Sequence, residues 1–357
     1  MKTLLRLLLK TQHQQNRSGP TQTEKGMTLV ELLIGAVMAF LIITPMLAFV
    51  VDMLNTDRRE QVKSNTEQDI QAAVDFIAED LSQAIHIYDN NDTTGIPELT
   101  KQKFIPTGAD KTPILVFWKR QLLKNSLPVN TTLTPQPDKC DPKATPGKAG
   151  DCNDTYVLSL VAYYQIKDDK SIWCQPSSSA KDCPTRIARY QISDGLENKS
   201  SDPTKPYTGL TDGQKTSPAY NDIATSTTPA FDITKPEKNV TKAGVDWDGS
   251  EVLVNYIDHN PFPLVGNECT LAFNNPKDSK GQAVLETTLK VTDSLAAIKT
   301  NSFYVCVDRS NNQNIARVTI RGNSLRRLQD STVKPSAQNA AFFPTATVQV
   351  QGRGLVK

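Results

Sequence analysis

Glu31 is the residue whose type and position most need explaining. It lies in KGMTLVELLIGAVMAF (residues 25–40), the fifth residue after Gly26, just before a charge-free apolar run of 20 residues, Leu32–Val51. A carboxylate inside lipid costs roughly 2.5–3.5 kcal/mol on insertion scales and usually marks function. Gly26 sits between Lys25 and the apolar segment, a small, accessible residue at the membrane edge. Gly35 and Pro45 lie within the run, where they weaken or kink a helix. A plain signal-anchor helix requires none of these features.

The other groups able to do chemistry are fewer. Six cysteines, Cys140, Cys152, Cys174, Cys183, Cys269 and Cys306, form no C-x-x-C pair, and the chain has three histidines. Zinc-site spacing is therefore absent. An even cysteine count with two close pairs favours disulfides in an oxidising compartment. Spacing suggests Cys140 with Cys152, Cys174 with Cys183, and Cys269 with Cys306, although six cysteines permit 15 arrangements. No G-x-S-x-G, H-E-x-x-H or P-loop pattern occurs. His86 falls near an expected helix end, where a cationic or polar residue is ordinary, and His259 reads as a turn residue in DHNPF. The acidic DWDGSE (246–251) departs from EF-hand spacing and lacks the distal bidentate glutamate. No enzyme activity, metal or cofactor is expected.

Charge and length set the frame for these residues. Residues 1–26 carry five basic side chains against Glu24, a net of +4; the whole chain carries +2, which leaves −2 for the rest. The basic character belongs to the leader, and no nucleic-acid partner is expected. Leu32–Val51 matches the ~20 residues that cross a bilayer as a helix. It exceeds a secretory h-region of ~7–15 residues, so ordinary signal cleavage after it is disfavoured. Lys and Arg before the span place the N-terminus in the cytoplasm and the rest outside.

With these features in hand, KGMTLVELL resembles the class III leader and N-terminus of type IV pilins and type II secretion pseudopilins. Their pattern is Gly, a hydrophobic residue, Thr or Ser, Leu, an aliphatic residue and Glu, followed by a long apolar helix. The resemblance implies cleavage by a prepilin peptidase between Gly26 and Met27, then N-methylation of Met27. It further implies that the Met27 amino group of one subunit pairs with Glu31 of a neighbour, on an inner-membrane assembly platform. The 26-residue leader is longer than many in the family. RREQ (58–61) and DFIAEDLSQA (75–84) are similar to J-type or W-type minor pilins. The large head, Thr/Pro-rich insertions and extended leader look most like the pseudopilins linked to polysaccharide export in filamentous cyanobacteria.

Four segments are expected: a leader (1–26), a membrane and assembly half-helix (27–51), an amphipathic half-helix (52–88) and a β-rich head (89–357). In the second half-helix, Ile70, Val74, Ile77, Leu81 and Ala84/Ile85 make one apolar stripe that should face the head's sheet. DNNDTTGIP (89–97) stops the helix. Candidate strands are 113–119, 155–167, 185–192, 251–257, 283–292, 302–308, 315–322 and 345–352, rich in β-branched and aromatic residues. Residues 124–154 and 195–250 read as long insertions. The fold class is α+β, a pilin-like long helix on a mostly antiparallel sheet. A membrane-anchored adhesin or ligand-binding protein is the competing reading, since loop-rich, stapled insertions suit recognition.

Overall fold

The computed structural model describes residues 26–108, 110–128, 152–167, 183, 185–194, 250–261, 264–292, 300–310, 313–328 and 334–354. Chain contacts divide the protein into two units, one ending at Arg58 and one beginning at Arg59. Helix α1 (Leu29–Ser82) runs through that boundary. Its first part is described with the candidate site below.

In the second unit, α1 brings the expected stripe to the core. Ile70, Ala73, Val74, Ile77 and Leu81 are buried, and they join one apolar cluster with residues of both sheets. The helix stops at Ser82, earlier than the Tyr88 expected from periodicity. Only Gln83 separates it from strand β1 (Ala84–Ile87). The reason is local and tertiary: AIHI is half β-branched, and β1 finds a partner in β2, with Ile87 opposite Phe117. A short helix α2 (Ile96–Lys101) follows the Asp/Asn-rich turn.

The first sheet is antiparallel throughout, in the order β1-β2-β3-β4-β5, with β2 (Lys111–Pro128), β3 (Cys152–Ile166), β4 (Thr185–Ser193) and β5 (Glu251–Ile257). Ile114 to Trp118 on β2 are all buried, so this strand is covered on both faces and reads as an unbroken apolar run. Both β2 and β3 reach into the expected 124–154 insertion, with Pro128 opposite Cys152. The remainder, 129–151, lies outside the described residues, as does 195–249.

The second sheet has the order β6-β7-β8-β9: β6 (Lys290–Val291), β7 (Phe303–Asp308), β8 (Ile315–Arg321) and β9 (Thr345–Gln351). All its pairings are antiparallel. The expected strand at 283–292 is corrected. Only Lys290 and Val291 join the sheet, and Glu286–Leu289 forms helix α4. The Glu286 carboxylate explains this, accepting the backbone N–H of Cys269 at 3.0 Å and of Thr270 at 2.8 Å. It thereby satisfies free donors at the start of helix α3 (Glu268–Ala272).

Cys269 and Cys306 form a disulfide, with Cα atoms 5.2 Å apart, linking α3 to β7. Gly322, directly after β8, lies close against α1. A Cβ there would lie 2.2 Å from Ile70 Cδ1 and 2.9 Å from Thr66 Cγ2. The protein is therefore α+β, a long helix with open antiparallel sheets.

Candidate membrane and assembly segment

The helix begins with a side-chain cap. The Thr28 hydroxyl accepts the backbone N–H of Glu31 at 3.3 Å, and the Thr28 carbonyl accepts that of Leu32 at 3.2 Å. Thr28 and Glu31 thus hold the first and fourth places of a T-x-x-E capping sequence. A carboxylate in the first turn also faces the positive end of the helix dipole. These contacts give Glu31 a local role at the backbone. Its carboxylate has no side-chain partner among the described residues.

Beyond the cap, every large apolar side chain from Leu29 to Leu54 is exposed, Phe40 and Phe49 each to 70%. The helix is long and apolar enough to span a membrane. Apolar surface of this extent is suited to burial in lipid or against other apolar surface. A Cβ built on Gly26 or Gly35 would meet no atom within 4 Å, so the chain's own packing demands neither glycine. Pro45 removes one backbone donor, yet the helix continues on both sides of it. One residue earlier, the Thr44 hydroxyl donates to the Phe40 carbonyl at 2.8 Å.

The second unit treats its helical carboxylate differently. Asp80 stands beside the apolar stripe and is 6% exposed. Lys119 Nζ and Arg189 Nε donate to it at 2.7 Å each, and the Tyr163 hydroxyl at 2.6 Å. These come from β2, β4 and β3, so one carboxylate ties α1 to three strands. Burial alone would raise the Asp80 carboxyl, but Lys119 and Arg189 outweigh it and hold the group below its ordinary value. Burial and the adjacent carboxylate push the Tyr163 hydroxyl well above its own. A second buried pair joins Asp258 to Arg321, with Nε donating at 3.0 Å, and Asn260 and Asn323 complete its bonds. Sequence reasoning missed both networks. The available signal was Asp80 itself, a charge among stripe residues with no cation one turn away.

The remaining expected sites are placed as follows. His86 lies in β1 rather than at a helix end, packed edge-on to Tyr88 with ring centroids 4.7 Å apart. Burial, and then Arg309 nearby, lowers its pKa to about 3, so it is neutral rather than cationic. His259 is buried just after β5. Cys183 is disulfide-bonded. Cys140 and Cys174 lie outside the described residues, as do 246–249 of the acidic DWDGSE segment. Among the described residues no cluster of three or more His, Cys, Asp or Glu side chains could hold a metal ion. A groove of about 400 Å³ lies between α1, β5 and the 3₁₀ turn Ser324–Leu328, lined by Asp69, Phe76, Asn255, Tyr256 and Arg327 among others. Tyr256 adopts φ +60° there, a left-handed conformation that is rare for an aromatic residue.

No protein-family profile, curated protein or solved structure matches the chain.

Proposed function

We propose that the chain is a minor pilin-like (pseudopilin) subunit that assembles through α1 into an envelope-spanning fibre of the type IV pilus or type II secretion kind. The observation that carries this reading is Glu31: a carboxylate without a side-chain partner among the described residues, at the start of the exposed apolar part of α1. A prepilin peptidase removes residues 1–26, and the new α-amino group of Met27 is methylated and stays cationic. In a packed bundle of such helices, that amine of one subunit faces Glu31 of the next. A paired charge in low dielectric is far less unfavourable than either ion alone. Lipid and neighbouring helices cover the apolar surface, an inner-membrane platform feeds subunits into the fibre, and the head lies on the outer side. The resemblance of the large head, Thr/Pro-rich insertions and extended leader to pseudopilins of polysaccharide export favours service in secretion, with polysaccharide as the leading cargo class.

Two measurements test this. Expressed with and without a prepilin peptidase, the chain is expected to lose about 26 residues on a gel only when the enzyme is present. Glu31→Ala is expected to be processed and membrane-inserted but excluded from the fibre; normal incorporation of that variant would sink the proposal. The groove beside Tyr256 favours a second reading, a ligand-binding head on the same anchor. Under that reading Glu31→Ala leaves function intact, whereas Tyr256→Ala removes it.

A further inference from the structure

Four strands end the two sheets, and three have protected outer edges. β1 has four residues and a register shift between Ala84 and His86. β6 has two residues. β5 begins with Glu251, shifts register twice against β4, and at its far end bonds back to the chain. There Asp258 N–H donates to the Arg321 carbonyl at 3.0 Å and Asn323 N–H to the Tyr256 carbonyl at 2.9 Å. Short length, bulges, charge and covering chain are the usual devices against edge pairing.

Among the described residues β9 has none of them. TATVQVQ (345–351) holds no charge and no proline, and it pairs with β8 over seven residues without a register shift. Its outward-bonding groups can be assigned. Gly322 N–H donates to the Pro344 carbonyl at 2.9 Å and Gly352 N–H to the Asn314 carbonyl at 2.8 Å, at the two ends of one register. Hydrogen-bonded and non-bonded pairs alternate along an antiparallel ladder. Even positions 344–352 therefore bond to β8, and Thr345, Thr347, Gln349 and Gln351 turn their N–H and C=O away from it. The side chains of these four residues are also exposed, while Ala346, Val348 and Val350 are partly buried against the core.

The segment is also complementary to itself when reversed. Centred on Val348, an antiparallel pairing of two copies sets Thr347 against Gln349 and Thr345 against Gln351. Ala346 then meets Val350, and Val348 meets Val348. Every outward-bonding residue meets another outward-bonding residue, and the two-fold axis passes through a non-bonded pair, as the ladder requires. Beyond the strand, Phe343 meets Arg353, so no like charges oppose each other. Thr–Gln pairs hydrogen-bond on one face, and apolar pairs extend the core face on the other. We infer that β9 is an interaction edge that pairs antiparallel with β9 of a second copy of this chain, about a two-fold axis at Val348. The pairing is isologous and closes at two copies. It does not depend on the role proposed for Glu31.

The test uses the full chain in detergent micelles. Val348→Cys places two cysteines across the non-bonded pair, where Cα atoms lie ~4.5 Å apart, within disulfide reach. Mild oxidation is expected to convert most of this variant to a covalent dimer. Thr345→Cys is the control, because the two copies of that position lie roughly 20 Å apart in this register. It should give at least tenfold less dimer. Adding Thr347→Pro to Val348→Cys removes an outward donor but no backbone bond to β8, losing there only the side-chain hydrogen bond to the Thr319 hydroxyl at 3.2 Å, and should reduce the cross-link at least tenfold with the circular dichroism spectrum unchanged. Equal cross-linking at 345 and 348, no dimer at 348, or indifference to the proline overturns the inference. Cross-linking of the Val348→Cys variant only to a different protein also overturns it. If Val348→Cys fails to fold, light scattering decides with the unmodified chain: a concentration-dependent dimer that Gln349→Pro converts to monomer is expected, and a monomer up to about 100 µM rejects the pairing.

Discussion

Two carboxylates on one helix meet opposite fates. Asp80 is enclosed by Lys119, Arg189 and Tyr163, all from the same chain. Glu31 is held at its backbone by Thr28, and its carboxylate has no side-chain partner among the described residues. A buried charge with three donors belongs to folding, and breaking such a set strands its partners. A carboxylate without a side-chain partner among the described residues, at the start of an exposed apolar segment, is on the proposed reading left for a neighbouring subunit. The same helix thus carries one carboxylate for stability and, on the proposed reading, one for assembly, separated by 49 positions.

Substitutions at the two ends should move different observables. Asp80→Ala leaves Lys119 and Arg189 buried without their counter-ion, and is expected to destabilise the head by about 3–5 kcal/mol, lowering Tm by roughly 10 °C. A loss within experimental error would dissolve the contrast. Replacing Cys269 and Cys306 together by serine should cost about 2–4 kcal/mol in chemical denaturation, since the bond closes a loop with a separation of 37 residues. A third measurement varies pH. His86 has its pKa depressed from 6.5 to about 3, so the unfolded chain binds more protons between those values. Stability is full above pH 6.5 and falls as the pH drops toward 3, by on the order of 1–3 kcal/mol after allowing for partial exposure. His86→Phe keeps the ring contact with Tyr88 and should flatten that slope. Asp80 contributes at the acid end of this window and below it, because its advantage is present above 3.8 and is lost as pH falls through its lowered value. The smallest effect is expected from Glu31→Ala, which should shift head unfolding by less than about 0.5 kcal/mol. A larger shift would mean that Glu31 also serves the fold.

Much of this arrangement was legible in the sequence, and the misses share a cause. The stripe from Ile70 to Leu81 and the strand at 251–257 were readable because burial imposes a period on one element. AVLETTLKVT misled because its apolar spacing suits either element. The choice was made by Glu286 bonding to residues 16 and 17 positions away. The helix end was misplaced because β1 is decided by its pairing with β2, more than 30 residues later. Asp80 was not singled out, because its partners lie 39, 83 and 109 residues away. At the N-terminus the helix of 29–82 and its apolar first part were readable from adjacent residues, while the meaning of KGMTLVELL rests on the proposed reading. The partner of the Glu31 carboxylate, on the proposed reading, belongs to a second subunit.

The single residue between α1 and β1 has a mechanical consequence. A pull along the helix axis reaches β1 through Gln83 alone, and β1 is a four-residue edge strand that could be peeled from the sheet one bond at a time. Three residues before that junction, the Asp80 contacts grip the helix sideways from three separate strands, and Ile77 and Leu81 are embedded in the core beside them. Tension is therefore taken up in shear, by several contacts at once, before it can unzip the sheet. Within the second unit, the sheets hold α1 by its flank rather than by its tip.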